Sequence, residues 1–365
     1  MGLGAQLIAW PEGFVQKFAD EGFFVITFDN RDCGLSSKTE GEPEDSGELL
    51  VRAATGEEVS QTYSLSDMAQ DSVSLLKNLG FEAAHIVGAS MGGMIAQTMA
   101  IEHASNVLSL TSIMSATGNP EEFTPTEEAL NALLTPPEDD KDQIIEANVN
   151  ASKTLAGPHW DEDYARDQAI RSYERSFHPK GIGFQIGAIA MSGDRTVKLS
   201  TLKIPSLVIH GSVDPLLPLH CGISTAEAIP NAELLIFEDM GHDLPELHWD
   251  RVVKTMAKEA RYAAKLVTGD IPPEIAEPFA VLGLKLFPDP GDVICTCGSG
   301  KLYSHHAATI AYLLAERMED DPLMILTLRG LFGPRFIERL QEARLLATSG
   351  VSRAHPVPSA ASVAR

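Results

Sequence analysis

Three residues of this chain have the types and spacing for nucleophilic acyl chemistry: Ser90, Asp214 and His242. A serine hydroxyl attacks a carbonyl only when a base takes its proton. A histidine can be that base, and an acid behind it fixes the imidazole tautomer and stabilises the imidazolium that forms. Ser90 sits in Gly88-Ala89-Ser90-Met91-Gly92, the G-x-S-x-G pattern of a nucleophile elbow, inside the stretch HIVGASMGGMIA. That pattern needs a strand before it and a helix after it, so that the serine hydroxyl stands exposed on a strained turn. The small residues Gly88, Gly92 and Gly93 let strand and helix approach closely. The helix start directs free N–H groups at an oxyanion, which makes the N–H of Met91 the first candidate oxyanion donor.

The elements that must position these residues are legible as alternating apolar runs and amphipathic segments. The sequence predicts strands at 84–88, 107–114, 206–210 and 234–237, with helices at 64–79, 91–102 and 249–265. Ser64 is the expected N-cap of the first of these helices, with Asp67 three residues on. The apolar run Phe23–Phe28 (FFVITF) reads as a further strand, covered on both faces, and Trp10–Asp20 as a helix ahead of it. The acidic, glycine-bearing stretch Glu40–Glu58 reads as an exposed excursion. Alternation of strands and helices implies βαβ units and a mostly parallel sheet. Ser90, Asp214 and His242 then each follow the carboxyl end of a strand, the edge at which open α/β sheets bind ligands. Asp243 is the sequence neighbour of His242 and poorly placed to accept from its ring, and Asp239 is a weaker rival. Gly241 is expected to permit a tight loop ahead of the histidine. From 118 to 195 the chain is helical, without strand-like runs, and reads as an inserted cap whose apolar stretch Ile182–Met191 suggests a partly hydrophobic substrate group.

Composition narrows the function classes. With 28 basic against 51 acidic residues the formal net charge is −23, which opposes nucleic acid and anionic membrane as partners. No apolar run approaches the length of a membrane span, and, with Met1 leading straight into Gly-Leu-Gly, no secretory leader is expected. Four cysteines in 365 residues do not form a disulfide framework, so a reducing cytoplasm is expected.

The segments MGLGAQLIAWP (Met1–Pro11), FDNRDCGLS (Phe28–Ser36), HIVGASMGGMIAQ (His85–Gln97), LVIHGSVDPLLP (Leu207–Pro218) and MGHDLP (Met240–Pro245) resemble the α/β-hydrolase superfamily. Within it they are similar to the esterase group that includes aclacinomycin methylesterase. The resemblance covers residues 1 to about 265. It implies an α/β-hydrolase fold with a mostly parallel central sheet and a helical cap. It also implies Ser90, Asp214 and His242 as catalytic residues, with the N–H groups of Leu3 and Met91 as the oxyanion hole. The implied reaction is cleavage of a small or medium-sized carboxylic ester through an acyl-enzyme, without metal or organic cofactor. A lactonase or C–C bond hydrolase with the same triad is the alternative enzyme, and a non-catalytic ligand-binding protein on this fold the alternative class. Family members have strands ahead of the oxyanion loop, one of which lies between the strands expected at 23–28 and 84–88. The chain is therefore expected to be truncated, with its natural start upstream of Met1. The expected division is a core of 1–117 with 196–265, a cap of 118–195, an appendage of 266–347 and a disordered tail of 348–365. In the appendage, Cys295, Cys297 and His306 resemble part of a SEC-C zinc motif, with Ala307 at a ligand position and His305 alongside. Three ligands fall short of the four of a structural zinc site, so the stretch reads as a relic and no metal is assigned.

Overall fold

The computed structural model describes residues 1–256, apart from Glu58, Ser60 and 136–139, together with Leu313, Arg317 and Met324. The chain divides into two compact units, Met1–Lys254 and Thr255–Arg365. Cys295, Cys297, His305, His306 and the tail from 348 lie outside the described residues.

The first unit opens with a loop and helix α1 (Glu12–Asp20), which buries Phe14 and Phe18. Helices α2 (Ser46–Ala54) and α3 (Leu65–Asn78) follow. Helix α3 is held at its start by a reciprocal capping box. The Ser64 side chain accepts from the Asp67 N–H and the Asp67 carboxylate accepts from the Ser64 N–H. Gly80, at φ 86°, follows its end. Then come β1 (Ala84–Ala89), α4 (Met91–Glu102) and β2 (Val107–Ile113). The segment between β2 and the next strand carries α5 (Glu127–Leu134), α6 (Lys141–Leu155), α7 (Glu162–Arg175), α8 (Lys180–Ser192) and the short α9 (Thr196–Leu199). Strand β3 (Ser206–Gly211), helix α10 (Leu219–Ala228), strand β4 (Glu233–Phe237) and helix α11, from 246 to the last described residues near 256, complete the unit.

The four strands form one parallel sheet in the order β1-β2-β3-β4. The registers pair Ala89 with Ile113, Ile113 with Ile209, and Gly211 with Phe237. Their carboxyl ends therefore share one edge. Helix α4 packs on β1, β2 and α3, and it is buried almost all round, from Met91 to Ala100. This is the helix expected of a segment that closes a βαβ unit inside the core rather than on its surface.

Two expectations are corrected. The run Phe23–Phe28 is not a strand. A strand exists through its ladder, and apolarity alone states only that a segment seeks cover. Here the run is only partly covered: Phe23 meets the rings of Phe18 and His85, while Phe24 stacks on Phe81 and stays 77% exposed. The stretch Glu40–Glu58 is not wholly an exposed excursion, because it contains α2. That helix is capped by the Asp45 carboxylate, buries Leu49 completely and packs on α8.

Candidate functional site

The elbow is built by close approach. A Cβ placed on Gly88 would fall 2.0 Å from the Gly92 carbonyl oxygen, and one on Gly93 would fall 2.6 Å from Ser115 Cβ. Only glycine lets strand β1 and helix α4 meet this closely. Between them Ser90 takes φ 55° and ψ −121°, a conformation that L-residues rarely adopt. The surroundings hold it there. Its N–H donates to the Ile113 carbonyl at 2.9 Å, and its own carbonyl accepts from Ser115 Oγ at 2.8 Å and from the N–H of Gly93 at 2.8 Å.

His242 reaches this serine from the loop after β4. Its Nε2 lies 3.0 Å from Ser90 Oγ, and its Nδ1 lies 2.7 Å from Asp214 Oδ2. A carboxylate only accepts, so Nδ1 carries the proton and Nε2 is left to accept from the serine hydroxyl. Asp214 is fully buried and fixed from behind: its Oδ1 accepts from the N–H groups of Leu216 and Leu217, both at 2.9 Å. The turn before Pro215 thus aims the free oxygen at the imidazole. The structure brings Ser90, Asp214 and His242 together as one hydrogen-bonded chain.

The rival acids do not enter it. Asp243 accepts from the N–H groups of Gly241 at 2.9 Å and Gly157 at 3.2 Å, and its burial pushes its pKa up. Asp239 pairs with His159 at 2.6 Å and lies 3.0 Å from His248 Nε2; the His159 hydrogen bond holds its pKa below the usual carboxylate value. A second histidine, His210, is fully buried beside the site. It donates from Nε2 to the Leu217 carbonyl at 2.7 Å, and burial lowers its pKa. Among the described residues no group of histidine, cysteine and acidic side chains is arranged to hold a metal ion.

Loop Met1–Gly4 lies against the elbow. A Cβ on Gly2 would fall 3.1 Å from Ser90 Cβ, and one on Gly92 would fall 2.7 Å from the Met1 carbonyl oxygen. Among the described residues no hydrogen bond occupies the N–H of Leu3 or of Met91. Gly241 has a different reason from the one read in the sequence. A Cβ there would meet the backbone of Ala156 and Gly157 at 2.4–2.5 Å, so glycine admits the end of α6 rather than a tight loop. The same approach lets the His242 N–H donate to the Leu155 carbonyl at 2.7 Å.

The apolar stretch Ile182–Met191 lies on α8, and most of it is packed inside the protein. Phe184, Ile186 and Ala188 are buried, while Ile182 is partly exposed beside Gly4. Within this stretch, sequence reasoning passed over Gln185. It is fully buried, accepts from the Gly4 N–H at 2.8 Å and donates to the Arg31 carbonyl at 2.8 Å. A lone amide in the apolar run GIGFQIGAIAM was the available signal, since buried polar groups need partners.

Residues 2–248 match the model of the alpha/beta hydrolase fold family. The chain belongs to that family. Rhodomycin D methylesterase from Streptomyces sp. strain C5 is 25% identical over 260 residues, covering 65% of this chain and 81% of the relative. A 2-hydroxy-6-oxononadienedioate/2-hydroxy-6-oxononatrienedioate hydrolase from Paraburkholderia phymatum is 28% identical over 253 residues, covering 66% and 78%. Among solved structures, a meta-cleavage product hydrolase from Pseudomonas fluorescens IP01 superposes with a TM-score of 0.53 at 23% identity, covering 71% of this chain and 88% of the other. That likeness establishes the shared fold. The hydrolase is therefore similar in sequence both to a methylesterase and to a dienedioate hydrolase. No helix among its described residues is long and apolar enough to cross a membrane.

Proposed function

We propose that this hydrolase is a serine esterase that cleaves a small or medium-sized carboxylic ester through an acyl-enzyme. The observation that carries the reading is the hydrogen-bonded chain from Ser90 Oγ through His242 to Asp214. His242 Nε2 takes the hydroxyl proton as Ser90 Oγ attacks the ester carbonyl carbon. The N–H groups of Met91 and Leu3 receive the oxyanion of the tetrahedral intermediate. Collapse breaks the carbonyl carbon–oxygen bond, and His242 gives its proton to the departing alcohol. Water, deprotonated by the same imidazole, then attacks the acyl carbon and releases the acid and free Ser90. Asp214 holds the tautomer throughout and offsets the charge on the imidazolium. Helices α5–α8 serve as the cap over this edge, contributing Leu155 and Gly157 directly behind the histidine loop.

The relation to rhodomycin D methylesterase supports ester cleavage. The relation to the dienedioate hydrolase supports a second reading, C–C bond cleavage by the same residues. A dicarboxylate substrate would call for cations at the site; of the arginines, Arg175 is bound to Asp29 at 2.8 Å and Arg195 is buried against Gln97 and the Ala116 carbonyl. Stopped-flow hydrolysis of p-nitrophenyl acetate tests the proposal. The expected result is a burst of p-nitrophenol stoichiometric with enzyme, absent in Ser90→Ala. Turnover by Ser90→Ala at the wild-type rate would overturn it.

A further inference from the structure

Gln185 links the cap helix to the loop that would hold the oxyanion, and this inference rests on the serine esterase reading above. Residues Gly2–Ala5 form a tight turn in which the Ala5 N–H donates to the Gly2 carbonyl at 3.2 Å. The Gly2 carbonyl and the Leu3 N–H belong to one planar trans peptide and point in opposite directions. With the carbonyl held inside the turn, the Leu3 N–H is turned out of it. The third residue of the turn, Gly4, has φ 64°, a left-handed value that type II turns require at this position. Its N–H, on the central peptide of the turn, donates to Gln185 Oε1 at 2.8 Å. Its carbonyl accepts from Cys33 Sγ at 3.2 Å. A side chain at position 4 would also meet Ile182 Cγ1 at 3.0 Å.

Type I and type II turns share the bond from the fourth N–H to the first carbonyl, so rotation of the central peptide alone would leave the Leu3 N–H where it is. Displacement of the whole turn against the elbow would move it, and Gln185, holding the Gly4 N–H, opposes that displacement. It is fully buried, and its amide is fixed at both ends, Nε2 donating to the Arg31 carbonyl at 2.8 Å while Oε1 accepts from Gly4. Flipping the amide would set two donors and two acceptors face to face, so the side chain has one acceptable orientation. We infer that Gln185 is a positioning residue: from the cap helix α8 it fixes the turn that aims the Leu3 N–H at the oxyanion. It touches no reacting atom. The cap would then do more than cover the site, because its docking completes the oxyanion hole.

The test is steady-state hydrolysis of p-nitrophenyl acetate by wild type, Gln185→Met and Gln185→Glu, each confirmed folded by thermal melting. Gln185→Met removes the acceptor at similar volume. It is expected to lower kcat about tenfold or more while KM stays within about twofold, since the lost alignment acts on the transition state. Gln185→Glu can replace the amide only with its carboxyl protonated, when one oxygen accepts from Gly4 and the O–H donates to Arg31. Its rate relative to wild type is therefore expected to approach one towards pH 5 and to fall as pH rises. A folded Gln185→Met with wild-type kcat overturns the inference. So does a Gln185→Glu ratio that does not change with pH, which alone decides the matter if Gln185→Met fails to fold. Ser90→Ala is run alongside. If turnover does not depend on Ser90 the esterase reading fails, whereas Ser90-dependent turnover indifferent to position 185 removes this inference only.

Discussion

Replacing Asp214 by asparagine separates the catalytic demand on this residue from its structural one. Asp214 Oδ1 accepts two backbone N–H groups, from Leu216 and Leu217, and an amide oxygen can do the same. Fold and stability should therefore survive. The other position, 2.7 Å from His242 Nδ1, would carry an NH2 group in place of an acceptor oxygen. Two donors cannot face each other, so Nδ1 must give up its proton and become the acceptor. The ring proton then sits on Nε2, 3.0 Å from Ser90 Oγ, where a base is needed. A wrong tautomer in such a chain costs about 10³–10⁴-fold in kcat, or roughly 4–5.5 kcal/mol at about 1.36 kcal/mol per decade. Asp214→Ala provides the contrast. It also removes the acceptor for two buried N–H groups and should lose about 1–3 kcal/mol of stability. The assay is ester turnover paired with chemical denaturation. A folded Asp214→Asn protein that keeps more than about a tenth of wild-type kcat would refute the assignment of Asp214 as the group that orients His242.

Two other outcomes follow from packing and charge. Gly241→Ala drives a Cβ into the backbone at Ala156 and Gly157 and threatens the His242–Leu155 hydrogen bond; the expected loss is about 2–4 kcal/mol, read as a lower Tm by calorimetry, with a fall in turnover. Asp29 is buried, which alone would raise its pKa, but its bonds to Arg175 and to the N–H groups of Leu7 and Leu35 outweigh burial and lower it. A depressed folded-state value means that its contribution to stability is fully present above the ordinary carboxylate value near pH ~3.9 and is lost as pH falls through the lowered one. Urea unfolding of wild type and Asp29→Asn should accordingly show a stability gap near neutral pH that narrows in acid; a gap constant with pH would contradict the pairing.

The parts of the molecule that were legible in the sequence are those governed by local rules. The glycines around Ser90 announce a close strand–helix approach, and Ser64 with Asp67 announces a helix start, because both signals lie within a few residues of what they determine. The joint order of Ser90, Asp214 and His242 at three strand ends was legible because a parallel sheet with helical crossovers brings those ends to one edge. What failed was long-range. Phe23–Phe28 has the composition of a buried strand, but pairing depends on a neighbour that its own residues do not specify. Helix α2 was hidden by the acidic, glycine-bearing stretch around it, and within it only Leu49 is buried. The reason for Gly241 lies at Gly157, and the partner of Gln185 lies at Gly4, 181 positions away. No periodicity carries that kind of information.

The central claim is that Ser90 is a nucleophile activated by His242. Its most direct measurement is the intact mass of the protein after treatment with a fluorophosphonate, followed by peptide mapping. A single phosphonyl adduct on the peptide containing Ser90, formed by wild type and lost in both Ser90→Ala and His242→Ala, is the result this account predicts. A folded wild-type protein that stays unlabelled, or an adduct that persists on another residue in Ser90→Ala, would contradict it.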